Sequence, residues 1–211
     1  GKRRFKISKI GIGGFGLIDF NATKVFLPAT SFLEEKRTLG VNIASHFRHQ
    51  NGITEGARLA AKAAQHVGIA TKLIELRTYC ASPYDKNILA GQLTTDNSYP
   101  VNIFHIDPGS TDNIPRVHGS KLFENKLNIG YWAWELSEFP DEYIRNFDFI
   151  EEVWTPSDFA RDVIMIKSPV PVLTMPHPIQ FECEGNTEKS EFNIPKNAFV
   201  FLCMYDYGSN Q

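Results

Sequence analysis

Short, nearly unbroken apolar runs recur along this chain at 40–45, 70–76, 101–106, 127–133, 151–154 and 171–175. A strand with water on one face alternates apolar and polar residues. A strand buried on both faces does not, and such strands belong to parallel sheets flanked by helices. The first two runs frame a complete unit. After Val41-Asn42-Ile43-Ala44 comes a polar loop ending in Asn51-Gly52. Ile53, Ala57, Ala60, Ala61, Ala64 and Val67 then follow at helical spacing, with Glu55 in the first turn and Gly68 as the cap. Ala70 to Leu76 closes a strand–loop–helix–strand unit, which is expected to be right-handed. Helices are predicted again over 114–124, with Pro115 in the first turn, and from Ser157-Asp158 through Phe159, Val163 and Ile164. The expected fold class is therefore α/β: a Rossmann-like open, mainly parallel sheet with helices on both faces. Residues 39–180 hold this domain and 1–38 form an N-terminal extension. Residues 181–211 begin as an acidic, polar linker and lead into a further strand at 198–204.

A net charge of −2 offers no whole-chain case for nucleic acid. Cys80, Cys183 and Cys203 are odd in number and scattered, so they form neither a disulfide framework nor a metal pair. No apolar run is long enough to span a bilayer and no signal sequence opens the chain, which points to the cytoplasm. Lys2, Arg3, Arg4, Lys6 and Lys9 make a basic start. Such a run is a solvated tail, or it supports peripheral membrane association at about 1 kcal/mol per basic residue near anionic lipid. Gly11-Ile12-Gly13-Gly14-Phe15-Gly16 satisfies GxGxxG, but the β-branched and aromatic residues that follow, with Pro28 among them, do not make the helix a dinucleotide site requires.

Open α/β sheets bind ligands outside the carboxyl ends of their strands. The residues there are Gly52 and Ile53 after the first strand, His105 and Asp107 at the end of the third, Trp134 and Glu135 after the fourth, and His177 between two prolines after the sixth. Each has a structural alternative. Trp132 and Trp134 supply stacking surface for a sugar or base, or they pack the interior. Gly56 clears space for a ligand, or it serves helix–sheet packing. Arg58 faces a ligand, or it pairs with Glu55 on the helix surface.

The stretch GYWAWELSEFPDEYIRNFDFIEEVWTPSDFARD, with GVNIASHFRHQNGITEGARLAAKAA before it and VPVLTMPHPI after it, resembles the N-terminal half of group 1 glycosyltransferases of the GT-B type, over residues 39–211. The resemblance implies one half of a GT-B fold that binds the acceptor, paired with a second domain that grips the donor. It implies transfer of a sugar, with retention, from a nucleotide-sugar donor to a saccharide or lipid-linked acceptor in polysaccharide biosynthesis, without metal or cofactor. Gly52, Ile53, Arg58, His105, Asp107, Trp134 and His177 are the implied substrate-binding residues. Many members place a histidine where the central strand ends. Trp134-Glu135 stands there instead, which makes Glu135 the candidate catalytic residue. The basic residues and paired acidic motif of a donor half are not in these 211 residues, so the chain is expected to be part of an enzyme and inactive alone. Two other classes compete: a non-enzymatic carbohydrate- or nucleotide-binding module, and a nicotinamide-dependent oxidoreductase resting on Gly11.

Overall fold

The computed structural model describes residues 40–179 and 188–203, together with a two-residue antiparallel ladder between Ile10–Gly11 and Leu17–Ile18. The rest of the N-terminal extension, with most of the glycine motif, lies outside the described residues, as do Cys183 and residues 204–211. The chain divides into two units, Gly1–Ile179 and Gln180–Gln211.

The first unit carries one six-stranded sheet. Its strands are β1 (Gly40–Ser45), β2 (Ala70–Glu75), β3 (Val101–His105), β4 (Leu127–Tyr131), β5 (Glu152–Thr155) and β6 (Val172–Thr174). They lie in the order β2-β1-β3-β4-β5-β6, and every neighbouring pair is parallel. The expected Rossmann-like α/β sheet is therefore present. The strand order reverses between β1 and β3, so the crevice at their carboxyl ends is the switch point where such sheets take ligands.

Alternate residues of the strands show which helices cover which face. Ile43 and Leu73 pack with Ala57 and Ala61 of α1 (Gly52–His66). Their neighbours Ala44 and Ile74 point the other way and pack with Phe104 and with Ile114 of α2 (Asn113–His118). On that second face Trp132, Val153 and Val172 pack with Val163 and Ile164 of α3 (Asp158–Met165). The runs are largely apolar because both faces are covered.

Asn42, Asn102 and Asn128 interrupt those runs, and all three are buried. They occupy paired positions on β1, β3 and β4, and the amides join hands across the sheet: Asn42 Nδ2 donates to Asn102 Oδ1 at 2.9 Å, and Asn102 Nδ2 to Asn128 Oδ1 at 2.8 Å. A one-residue slip would break both bonds and bury unpaired amides, so the ladder locks register.

Two predicted elements differ from what forms. The helix expected over 114–124 stops at His118, because Gly119 takes φ +82° and turns the chain into a separate 3-10 turn, Ser120–Leu122. In the second unit, 198–203 does not form the predicted strand. A strand exists only against a ladder partner, and no partner lies beside it among the described residues; Phe199, Phe201 and Leu202 are exposed instead. The segment is tied only at its start, where Lys189 Nζ donates to the Ala198 carbonyl at 2.7 Å.

Candidate functional site

The loop from β1 to α1 is held from both ends. Ser45 Oγ donates to the His105 carbonyl at 2.9 Å, bridging β1 to β3 across the switch point. Asn51 caps α1, accepting from Thr54 N at 2.9 Å, while Thr54 Oγ1 accepts from Asn51 N and donates to the His49 carbonyl at 2.8 Å. Arg58 reaches back from the second turn. Its Nη2 donates to the carbonyls of Phe47 and His49 at 2.8 and 2.6 Å, and its Nη1 pairs with Glu55 at 2.8 Å. Two of the guanidinium nitrogens thus brace the loop backbone and Glu55, while Nε is buried without a partner.

Gly52 opens α1, and the space its side chain would take is free to 4 Å. The first N–H groups of a helix have no intrahelical partner. Asn51 takes that of Thr54, which leaves those of Gly52 and Ile53 at the mouth of the crevice.

Behind them lies a cluster built from four elements. His105 and Tyr131 are register partners at the last positions of β3 and β4, and their rings stack at 4.3 Å and 11°. The Tyr131 hydroxyl donates to the Met175 carbonyl at 2.6 Å and sits 3.2 Å from His177 Nδ1. A hydroxyl has one proton to give. His177 therefore carries its own proton on Nδ1, donates it to the Tyr131 oxygen, and presents Nε2 as an acceptor. The other side of the His177 ring lies on Gly56: a Cβ there would stand 2.5 Å from the ring. Gly56 is a packing glycine, and what it packs is the candidate histidine.

The cluster is electrically quiet. Burial, with His177 nearby, lowers His105 to a pKa of about 3, and burial alone lowers His177. Burial likewise raises the Tyr131 phenol. Near neutral pH all three rings are uncharged. Both ring nitrogens of His105 are buried without a partner.

A second group forms around the loop after β3. Asp107 caps a 3-10 turn, Pro108–Ser110, accepting from Gly109 N at 2.8 Å. Burial raises its carboxyl, and the Gly109 N–H partly offsets this. Asn146, in the 3-10 segment Asp141–Phe149, donates to the Pro108 carbonyl at 2.7 Å, and the Tyr143 ring lies on Gly109. Trp134 meets Tyr143 and Phe139 edge-on and donates from Nε1 to the Glu138 carbonyl at 2.9 Å, so its polar edge holds its own loop. Trp132 is wholly interior, packed on Phe139 and Phe147. Glu135 is exposed and has no ion pair or hydrogen bond among the described residues.

All the sequence candidates follow carboxyl ends of the same parallel sheet. His105 and His177 meet through Tyr131, and Asp107 and Trp134 through Tyr143. Among the described residues no hydrogen bond, ion pair or ring contact joins Gly52, Ile53 or Glu135 to either group. From the sequence Tyr131 reads as stacking surface beside the tryptophans and Tyr143 as part of an amphipathic segment; that each joins two candidates is not legible there. The signal for Tyr131 was its hydroxyl at the end of an otherwise apolar run.

Among the described residues no group of His, Cys, Asp and Glu could hold a metal ion, and no helix is long and apolar enough to cross a membrane. Cys80 and Cys203 are free thiols. Compared with models of known protein families and with curated protein sequences, the chain matches none.

Proposed function

We propose that this chain is the acceptor-side domain of a GT-B-type glycosyltransferase, binding a saccharide or lipid-linked acceptor for transfer, with retention, from a nucleotide-sugar. One observation carries the reading. Gly56 of the first stretch on which the resemblance rests, Tyr131 of the second and His177 of the third lie tens of residues apart in sequence, yet touch at one point beside the switch crevice.

The chemistry follows from the protonation pattern. His177 Nε2 accepts a hydrogen bond from an acceptor hydroxyl. The N–H groups of Gly52 and Ile53 favour oxygen atoms or negative charge at the helix start. Glu135, free of partners, is the carboxylate available to take a proton from the attacking hydroxyl. Retaining transfer depends chiefly on charge stabilisation around the donor, so this domain contributes position more than electrostatics.

The test is saccharide binding to this chain by ligand-observed NMR, followed by turnover of nucleotide-sugars by the protein that contains it. His177→Ala should abolish saccharide binding. Glu135→Gln should lower turnover at least tenfold while leaving binding intact. Binding without turnover in any context would favour the non-enzymatic binding module, a reading supported by the lack of any group bracing Glu135. Absence of saccharide binding would reject both.

A further inference from the structure

Away from that cluster, beyond the carboxyl end of the edge strand β2, lies a cavity of about 1020 Å³. The loop after β1 separates it from the start of α1: Arg48 and His49 line the cavity, whereas the His49 carbonyl faces Arg58 and Thr54. Its floor is the end of β2 and the residues that follow, including Leu76 and Arg77, and its far wall comes from α2 and the turn after it, including Lys121.

The charges in this cavity do not balance. Arg48, Arg77 and Lys121 bring three permanent cations, and Glu75 is the one carboxylate among the lining residues. Elsewhere on this unit many of the described cations sit on carboxylates, Arg58 on Glu55, Lys72 on Asp96, Arg116 and Arg145 on Asp112, Arg161 on Asp158 and Asp162, Lys167 on Asp141, while the single cations Lys62 and Lys86 do not. The Arg77 guanidinium and the Lys121 ammonium have no ion pair or hydrogen bond among the described residues. The Arg48 guanidinium donates from Nη1 to the Tyr84 hydroxyl at 3.2 Å and lies within electrostatic reach of Glu75, and its Nε is buried without a partner. An arginine with an orphaned Nε, lining one cavity with a second guanidinium and an ammonium, is a donor set suited to phosphate oxygens. The rest of the lining mixes polar side chains, including Thr94, Thr95 and Asn97, with apolar ones. Leu76, Leu93 and Val117 are apolar, and Tyr84 offers an exposed ring of the kind on which a sugar or base lies flat. The volume is at the upper end of the range for small-molecule sites, roughly 300–1000 Å³, and far exceeds what a bare anion needs.

We infer that this cavity binds a phosphorylated small molecule, with Arg48, Arg77 and Lys121 on the phosphate and Tyr84 against the organic part. The inference stands on the cavity alone and does not depend on glycosyl transfer, since it shares no side chain with the Gly56–Tyr131–His177 cluster.

Isothermal titration of the chain with glucose 6-phosphate, glucose and inorganic phosphate at low salt tests it. Arg77 and Lys121 are exposed, so Arg77→Gln and Lys121→Gln leave the fold intact, which circular dichroism checks. The hexose phosphate should bind saturably and more tightly than either inorganic phosphate or glucose. Each substitution should weaken it by about tenfold, the loss of one charge-assisted contact. Tyr84→Ala should reduce affinity for the hexose phosphate and leave that for inorganic phosphate unchanged. If no phosphate compound binds, or if both charge variants bind as the parent does, the inference is overturned. Hexose phosphate binding no tighter than inorganic phosphate overturns the assignment of an organic ligand.

Discussion

Gly56→Ala pits two effects of known sign against each other. Gly56 lies inside α1, where alanine is better than glycine by about 1 kcal/mol. The added methyl, however, would stand 2.5 Å from His177 Cε1 and 2.8 Å from Nδ1. The ring has no room to yield toward Tyr131, whose centroid is 5.1 Å away and whose oxygen is already 3.2 Å from Nδ1. It must swing outward. Overpacking of this kind costs about 1–3 kcal/mol, so the net change should be a destabilisation on the order of 1 kcal/mol, or roughly 2–4 °C in Tm for a domain of this size. The ring leaves a further trace. Burial holds the His177 pKa below 6.5, so an expelled ring should titrate closer to 6.5. Calorimetry with an NMR titration of the histidine ring protons reads both. A variant stabilised by about 1 kcal/mol, with His177 titrating as before, would refute the packing argument and with it the contact that joins the three motif stretches.

Arg58→Lys should cost about 1–3 kcal/mol in urea unfolding, because an ammonium cannot span the carbonyls of Phe47 and His49 as the guanidinium does; a neutral outcome would return Arg58 to the helix surface. Gly52→Ala should leave stability within about 0.5 kcal/mol, since nothing lies where the methyl goes, and should weaken saccharide binding by crowding the N–H groups of the crevice; unchanged affinity would remove Gly52 from the site. His105→Phe addresses pH. A histidine whose folded pKa lies below its unfolded value contributes fully above about pH 6.5 and loses that contribution as pH falls toward 3. His46, lowered to about 4 by burial and by His49, acts in the same direction. Glu75 and Glu152, raised by burial, act oppositely above about pH 4.5 and moderate the slope. His105→Phe keeps the ring stack on Tyr131 and forfeits no hydrogen bond, so it should be near neutral at pH 7 and lose less stability than the parent at pH 5. Denaturation curves with identical pH slopes would contradict the buried neutral ring.

What the sequence determined by itself is the layer plan and the local signals. Ile43 beside Ala44, Leu73 beside Ile74 and Ile103 beside Phe104 are apolar in succession because opposite faces of the sheet bury them, and continuous apolarity survives in the sequence without knowledge of partners. Ser157 caps its helix at Ala160 over three residues, a span short enough to read directly, and the turn at Asn51-Gly52 marks where α1 begins. From parallel strands alone it follows that Gly52, His105, Glu135 and His177 share one edge. Tertiary structure decided which of them meet and which chemistry is left to each. Gly56 and His177 are far apart in sequence, and neither carries a mark of the other; β6 is the far edge of the sheet, and their contact arises because the segment after it, held by Tyr131 at Met175 and His177, reaches back to α1. Arg58 looked like a surface partner for Glu55, and only the curl of the β1 loop brings two backbone carbonyls under its fork. Spacing points Trp132 to the interior more than Trp134, and the fold seals Trp132 there while Trp134 holds its own loop. The asparagines of β1, β3 and β4 read as blemishes in apolar runs until strand register sets them opposite one another. Apolar burial is non-directional and leaves its imprint along the chain, whereas hydrogen bonds and ring contacts depend on distance and angle between remote segments, which only the assembled sheet supplies.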